Sequence, residues 1–334
     1  MTGTNVLVCL ESAYEFWRPT PAQERDLRVR FPQATFRFVT ADELPVSLAT
    51  AAVFLGWRFD PDWFALAPRL RWIASPAAGT DHLPVAEATA AGVVLTRSFG
   101  FHGTPIAEHA MGLVLGFSRG LFTSHRVQAV EACWKDEVAE QFFDLAGATM
   151  TIVGCGSIGL RLAQAAQSFG MDVVGVRRHP PLGPATVTWA RAARLHEALG
   201  RAQVVVDLLP ATPDTVELFD GDTFAACRPG AVFLNLGRAV TVHHPSLLEA
   251  VNTGQLSGAA LDVQPGRPLP MDHALRHHPR IVLTPKSAVF SRHYMDGALA
   301  FFADNLDRYL TEQPLRGTAT PIRTSVPSTT KGNS

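Results

Sequence analysis

Three charged residues stand where apolar runs end in the second half of the chain. Arg238 follows Ala231-Val232-Phe233-Leu234-Asn235, Asp262 follows Gly258-Ala259-Ala260-Leu261, and Lys286 follows Arg280-Ile281-Val282-Leu283-Thr284. If the runs are parallel strands of an open α/β sheet, the three side chains meet on the edge where ligands bind. An arginine there can hold a carboxylate through paired hydrogen bonds. A lysine can give a proton to a carbonyl oxygen as it becomes an alkoxide. A second pattern lies upstream. The apolar run Thr149 to Val153 ends in Gly154-Cys155-Gly156-Ser157-Ile158-Gly159, a helical pattern closes at Gly170, and another apolar run begins at Val173. In G-x-G-x-x-G the first glycine makes the turn, the second admits a pyrophosphate and the third lets helix pack on sheet. The helix N-terminus then faces the phosphates with unpaired N–H groups. Gly154, Gly156, Ser157, Ile158 and Gly159 are therefore expected to bind a dinucleotide, the alternative being a glycine-rich turn with no ligand.

The end of the next strand selects the nucleotide. NAD sites usually place an acidic residue there; this chain places Arg177 and Arg178. An arginine pairs with a 2′-phosphate that a carboxylate would repel, so NADP(H) is expected, with NAD(H) as the alternative.

These residues need elements to position them. The chain has 334 residues, enough for two domains, with 47% hydrophobic and 18% charged residues. Lys+Arg 29 against Asp+Glu 30 gives a net charge of −1, which implies no field for nucleic acid or an anionic membrane. No apolar stretch is long enough to span a bilayer. The N-terminus enters a strand-like run at Asn5 with no basic leader pattern. Four scattered cysteines have no metal or redox spacing; they read as buried thiols, and no metal is expected. A cytoplasmic protein with a small anionic substrate is the expectation. β-like runs at Val6–Leu10, Thr35–Val39, Ala52–Leu55, Trp72–Ser75 and Val93–Thr96 alternate with helix-like segments. A helix opens near Pro105 and reaches about Arg119, and another covers Ser291 to Leu310. From Thr149 on, six apolar runs predict a six-stranded doubly wound sheet. The fold class is thus α/β, with two doubly wound Rossmann-like domains and an inter-domain cleft. The expected division is 1–104 with 292–312, then 105–291 with an arm at about 120–145, then a disordered Thr/Ser/Pro/Gly tail over 313–334.

From about residue 5 to residue 310 the chain resembles the D-2-hydroxyacid dehydrogenase family. The blocks that carry the resemblance are Ala78-Gly79-Thr80-Asp81-His82, Ala107-Glu108-His109, Val153 to Gly159, and Leu209-Pro210-Ala211-Thr212-Pro213-Asp214-Thr215. Leu234 to Arg238, Leu261-Asp262-Val263, Pro268-Leu269-Pro270 and Leu283-Thr284-Pro285 complete them. The resemblance implies a substrate domain built from both termini, a nucleotide domain between, and a homodimer. Arg238 matches the arginine on the 2-oxo acid's carboxylate and carbonyl. Ala78 and Gly79 match the loop holding that carboxylate. Asp262 matches the residue near the nicotinamide amide, and Pro210 and Thr215 lie in a cofactor-binding block. The basic pair at Arg177 resembles the NADPH-preferring glyoxylate/hydroxypyruvate reductase branch.

Two positions depart from the family pattern. The acidic residue before Pro-Leu-Pro is Arg267, and the histidine after Thr-Pro is Lys286. The family's proton donor and the glutamate that charges it are thus both replaced. A lysine at its usual pKa of about 10.4 is a weak acid at neutral pH. Burial and cationic neighbours lower it, and Arg238 and Arg267 supply such neighbours. The expected chemistry is reduction of a 2-oxo acid with Lys286 as proton donor. Arg238, Lys286 and Arg267 also make an anion cradle suited to a doubly charged substrate. Imine reduction, or a silent nucleotide-binding sensor, are the alternatives. His102 is a candidate substrate contact. His109, Asp81-His82, Cys155, His293 and Tyr294 read as structural, and Trp134 as an anchor in the arm.

Overall fold

The computed structural model describes residues 3–128, 134–139, 141–180, 187–266 and 268–319. The chain divides into two compact units, one made of residues up to Phe99 together with those from Arg292 onward, the other of Gly100–Ser291.

The first unit carries five strands, β1 (Thr4–Cys9), β2 (Ala34–Phe38), β3 (Val53–Gly56), β4 (Trp72–Ser75) and β5 (Val94–Arg97). They form one sheet in the order β2-β1-β3-β4-β5, with every pairing parallel. Each coincides with a run expected to be a strand. β3 and β4 are buried along their whole length, as strands covered on both faces are. The Pro21–Arg30 helix begins with a capping box between Thr20 and Gln23. The Tyr294–Leu310 helix lays Phe302 and Tyr309 on the Trp72 ring, with centroids 5.3 and 5.6 Å away. Part of the expected disordered tail is not disordered. The Arg97 amide donates to the Gly317 carbonyl and the Ala319 amide to the Leu95 carbonyl, while Asn305 bonds both the amide and carbonyl of Arg316. Residues 313–319 are therefore held on β5 and on the last helix; 320–334 lie outside the described residues.

The second unit carries β6 (Thr149–Val153), β7 (Asp172–Arg177), β8 (Thr188–Arg191), β9 (Val204–Asp207), β10 (Ala231–Asn235), β11 (Leu256–Leu261) and β12 (Ile281–Leu283). The sheet is parallel in the order β12-β11-β10-β9-β6-β7-β8, so strand order reverses between β6 and β9. The expected count of six is corrected to seven. β8 was missed because Thr-Trp-Ala-Arg has no apolar run; it is an edge strand with exposed ends. β9 and β10 are wholly buried. The Gly103–Ser118 helix packs on the Ser157–Ser168 helix, where a Cβ on Gly103 would lie 3.2 Å from Arg161 Cβ. Within the expected arm, Leu121–Val127 and Trp134–Ala139 are helical, and 129–133 and 140 lie outside the described residues. Among the described residues no helix is long and apolar enough to cross a membrane.

Candidate active site

The glycine turn occupies the carboxyl end of β6, an interior strand beside the point where strand order reverses. Gly154 has φ +83°, and a Cβ there would sit 2.9 Å from the Leu208 carbonyl. A Cβ on Gly159 would meet Cys155 Sγ at 3.0 Å and Ile152 Cγ2 at 3.1 Å, so the third glycine is what seats the helix on the sheet. A Cβ on Gly156 would have only one neighbour within 4 Å, the Gly154 oxygen at 3.9 Å, so the space before the helix is open. The Ser157–Ser168 helix has no side-chain cap and no acidic residue in its first turn. An open concavity, uncapped N–H groups and a helix dipole fit a dinucleotide pyrophosphate. Cys155 is wholly buried, and burial pushes its thiol up to about 11, so it is a packing residue and not a nucleophile.

Two strands along, Arg238 follows β10, half-buried, and its guanidinium donates to the Gly237 carbonyl at 3.0 Å. Its own carbonyl accepts from Asn235 Nδ2 at 3.0 Å and Thr241 Oγ1 at 2.7 Å. The Gly237 amide donates to Asn235 Oδ1, and a Cβ on Gly237 would strike Leu209 O at 2.7 Å. Beneath this loop lies Asp207, wholly buried at the end of β9. It accepts from the Leu209 amide at 2.8 Å and contacts the Thr241 hydroxyl. Burial pushes its carboxyl up to about 7. Asp207 was not singled out from the sequence, where it resembled any polar strand end.

Asp262 directly follows β11 and is 3% exposed. Oδ1 accepts from Thr284 Oγ1 at 2.6 Å and the Ser287 amide at 2.9 Å; Oδ2 accepts from the Ala288 amide at 3.1 Å. His109, from the Gly103–Ser118 helix, reaches Thr284 Oγ1 at 3.2 Å and lies 3.7 Å from Asp262 Oδ1. Asp262 thus brackets the loop that carries Lys286. Gln264 adds a bond to the Thr284 carbonyl at 2.7 Å. Lys286 itself has φ +58°, a left-handed conformation unusual for a residue with a side chain. Its side chain is exposed, so the burial expected to make it a better acid is absent.

A dinucleotide-binding turn, an arginine and a braced lysine thus share the carboxyl edge of one parallel sheet. Residues 111–288 match the family model described as D-isomer specific 2-hydroxyacid dehydrogenase, NAD binding domain. The chain belongs to that family. It is an NAD(P)-dependent oxidoreductase. Over 294 residues it is 33% identical to glyoxylate/hydroxypyruvate reductase B of Pectobacterium carotovorum, covering 84% of this chain and 90% of the relative. Among solved structures, an NADPH-dependent glyoxylate/hydroxypyruvate reductase from Sinorhizobium meliloti, in complex with NADP and sulfate, is 25% identical. It superposes with a TM-score of 0.78 and covers 95% of this chain and 98% of the other. A family protein from Aeromonas salmonicida is 29% identical, with a TM-score of 0.76 over 96% of this chain and 99% of its own.

The enzyme's other candidate residues fall in several places. Arg177 ends β7, with its guanidinium carbon 5.9 Å from the Trp189 ring centroid. Arg178 pairs with Asp214 at 3.1 Å. Pro210 and Thr215 belong to one loop after β9, where Thr215 Oγ1 donates to the Pro210 carbonyl at 2.6 Å. His102 precedes the Gly103–Ser118 helix, is 2% exposed and stacks on Phe101 at 3.9 Å. Ala78 and Gly79 lie in the first unit, in the loop after β4, where the Ala78 carbonyl accepts from Arg97 at 3.3 Å. Tyr294 is buried, donates to the Pro76 carbonyl at 3.0 Å and is held protonated by burial, while His293 pairs with Asp296. Arg267 lies outside the described residues, as does the Trp134 side chain.

Proposed function

We propose that the chain is an NADPH-dependent reductase of a 2-oxo acid, with Lys286 as the proton donor. The observation that carries this reading is the placement of the glycine turn, Arg238 and the Lys286 loop at the ends of β6, β10 and β12 of one sheet. When bound, the nicotinamide supplies the hydride. Gly154 to Gly159 receive the pyrophosphate, and the basic end of β7 favours the 2′-phosphorylated cofactor. The Arg238 guanidinium holds the substrate's carboxylate and polarises its carbonyl. Lys286 Nζ gives the carbonyl oxygen its proton. Because Lys286 is exposed, its role as acid rests on positive charge in place of burial, with Arg238 and Arg267 the candidate sources. The same three cations suit a substrate with a second negative group. Ala78 and Gly79 are assigned to the substrate carboxylate, Pro210, Thr215 and Asp262 to the cofactor pocket, and His102 to the substrate. Residues 1–104 with 292–312 serve as the substrate domain and 105–291 as the nucleotide domain, the arm at about 120–145 joining two copies.

NADPH and NADH oxidation against a panel of 2-oxo acids, including doubly anionic ones, tests the reading. The native chain should consume NADPH. Lys286→Ala should bind NADPH as tightly and turn over more than a hundredfold slower, the usual contribution of general acid catalysis being about 10²–10⁴. Undiminished turnover by Lys286→Ala removes the lysine from the mechanism. Binding without turnover by the native chain overturns the 2-oxo acid assignment and leaves imine reduction and the sensor class as the readings to test.

A further inference from the structure

The chain as a whole is nearly neutral, but one stretch is not. From Arg177 to His196 there are four arginines, two histidines and no acidic residue. Two of the arginines are paired: Arg178 with Asp214 at 3.1 Å and Arg194 with Glu197 at 2.6 Å. The other two, Arg177 and Arg191, have no ion pair among the described residues. They are register partners at the carboxyl ends of β7 and β8, and both are exposed. Parallel register partners project to the same face, and like charges in that position repel. Such a pair, with no counter-charge among the described residues, can receive an anion at that strand end.

The residues two positions earlier explain how the pair is held. Gly175 is the register partner of Trp189, on the same face. A Cβ on Gly175 would lie 2.8 Å from Trp189 Cζ3, so the indole occupies the space that a side chain on β7 would take. The Arg177 guanidinium rests 5.9 Å from the centroid of that indole. Gly175, Trp189, Arg177 and Arg191 form one surface, an aromatic floor with two cations at its outer edge.

We propose that Arg191 is a specificity-determining residue for the cofactor: with Arg177, seated on Trp189, it grips the 2′-phosphate of NADP(H), while Arg178 is engaged by Asp214. This rests on the NADPH reading above and adds to it a residue on a different strand. Guanidinium groups from two strands can each donate to different oxygens of one phosphate, a geometry that a single strand end does not offer.

The probes are adenosine 2′,5′-bisphosphate and AMP, titrated calorimetrically into the full chain. The native protein should bind the bisphosphate more tightly than AMP. Arg191→Ala should lose about tenfold for the bisphosphate, the usual loss of one charge-assisted contact, and stay within about twofold for AMP. Arg178→Ala should lose less. Arg191→Gln keeps the stem and takes the place of alanine if the alanine variant no longer binds AMP. Unchanged bisphosphate affinity in the variants overturns the role of Arg191 while the native preference still stands. A native protein that binds both probes equally overturns the NADPH reading, and this inference with it.

Discussion

The Thr241 hydroxyl has two acceptors in reach, the Asp207 carboxyl and the Arg238 carbonyl, and which one it serves is coupled to the state of Asp207. Thr241 has one hydroxyl hydrogen, and the Arg238 carbonyl, which can only accept, lies 2.7 Å from it. If Thr241 donates there, its contact with Asp207 needs the hydrogen to come from the carboxyl. Burial pushing that carboxyl from 3.8 up to about 7 agrees. A carboxyl whose pKa is raised on folding favours the folded state fully below its unfolded value. That advantage is lost as pH rises through its folded value. Asp207→Asn keeps an acceptor for the Leu209 amide and a donor for Thr241 without titrating. Its stability relative to the native chain should rise on the order of 2 kcal/mol between pH 5 and pH 8. Urea unfolding at both pH values measures this, and a difference that does not change with pH would mean that Asp207 stays ionised. Lys286 is the second residue whose backbone carries information. A left-handed conformation costs a residue with a side chain about 1–2 kcal/mol, so Lys286→Gly should stabilise the chain by about 1 kcal/mol while abolishing turnover. A loss of stability instead would show that the Lys286 side chain is needed for folding.

Single residues act here through loops that follow strands, and the loop after β12 shows how. Asp262 receives one hydroxyl and two amide hydrogens from residues on either side of Lys286. Asp262→Ala leaves buried donors unpaired and should cost about 2–4 kcal/mol, with turnover falling through a displaced Lys286. Denaturant midpoints and steady-state rates on the same preparation check both, and turnover preserved at reduced stability would separate the loop's packing from its chemistry. The strands that frame this site were readable because each is an apolar run ended by a residue of another kind. The five strands of the first unit and six of the second follow from that pattern alone. β8 did not, because an edge strand of four residues needs no apolar run, and Trp189 is half-buried against Gly175 and the core beside it. Nor could Lys286's left-handed backbone be read, since no glycine marks the position; in the structure Asp262 and Gln264 brace the loop on which it lies. The ordering of 313–319 is likewise a tertiary effect. A segment rich in small and polar residues has no core of its own and takes the vacant edge of β5.

At the scale of the whole chain, the first unit is closed by sequence from both ends. β1 begins at Thr4, and the last helix runs from Tyr294 to Leu310 after almost two hundred residues devoted to the other unit. The cost of bringing such distant segments together grows only slowly with the length between them, so apolar contact can hold them. The contact is specific. Trp72 is wholly buried and stacks on Phe302, itself 2% exposed, and its indole N–H donates to Thr96 Oγ1 at 2.8 Å on β5. β5 in turn takes the Thr318 bridge. One aromatic pair therefore links β4, the edge strand β5 and the end of the chain. Phe302→Ala should cost about 3–5 kcal/mol, the range for removing a buried phenylalanine. Amide hydrogen exchange should locate the loss: Trp72–Ser75, Val94–Arg97 and the Gly317 and Ala319 amides should lose protection together. The Thr149–Val153 strand, which has its own core around Met150 and Ile152, reports whether the effect stays in the first unit. Loss confined to the last helix, with β4 and β5 still protected, would mean that the sheet is complete without the chain's end. Loss in all three segments makes the returning helix a structural part of that sheet's core, and the return of the chain a requirement for the first unit to fold.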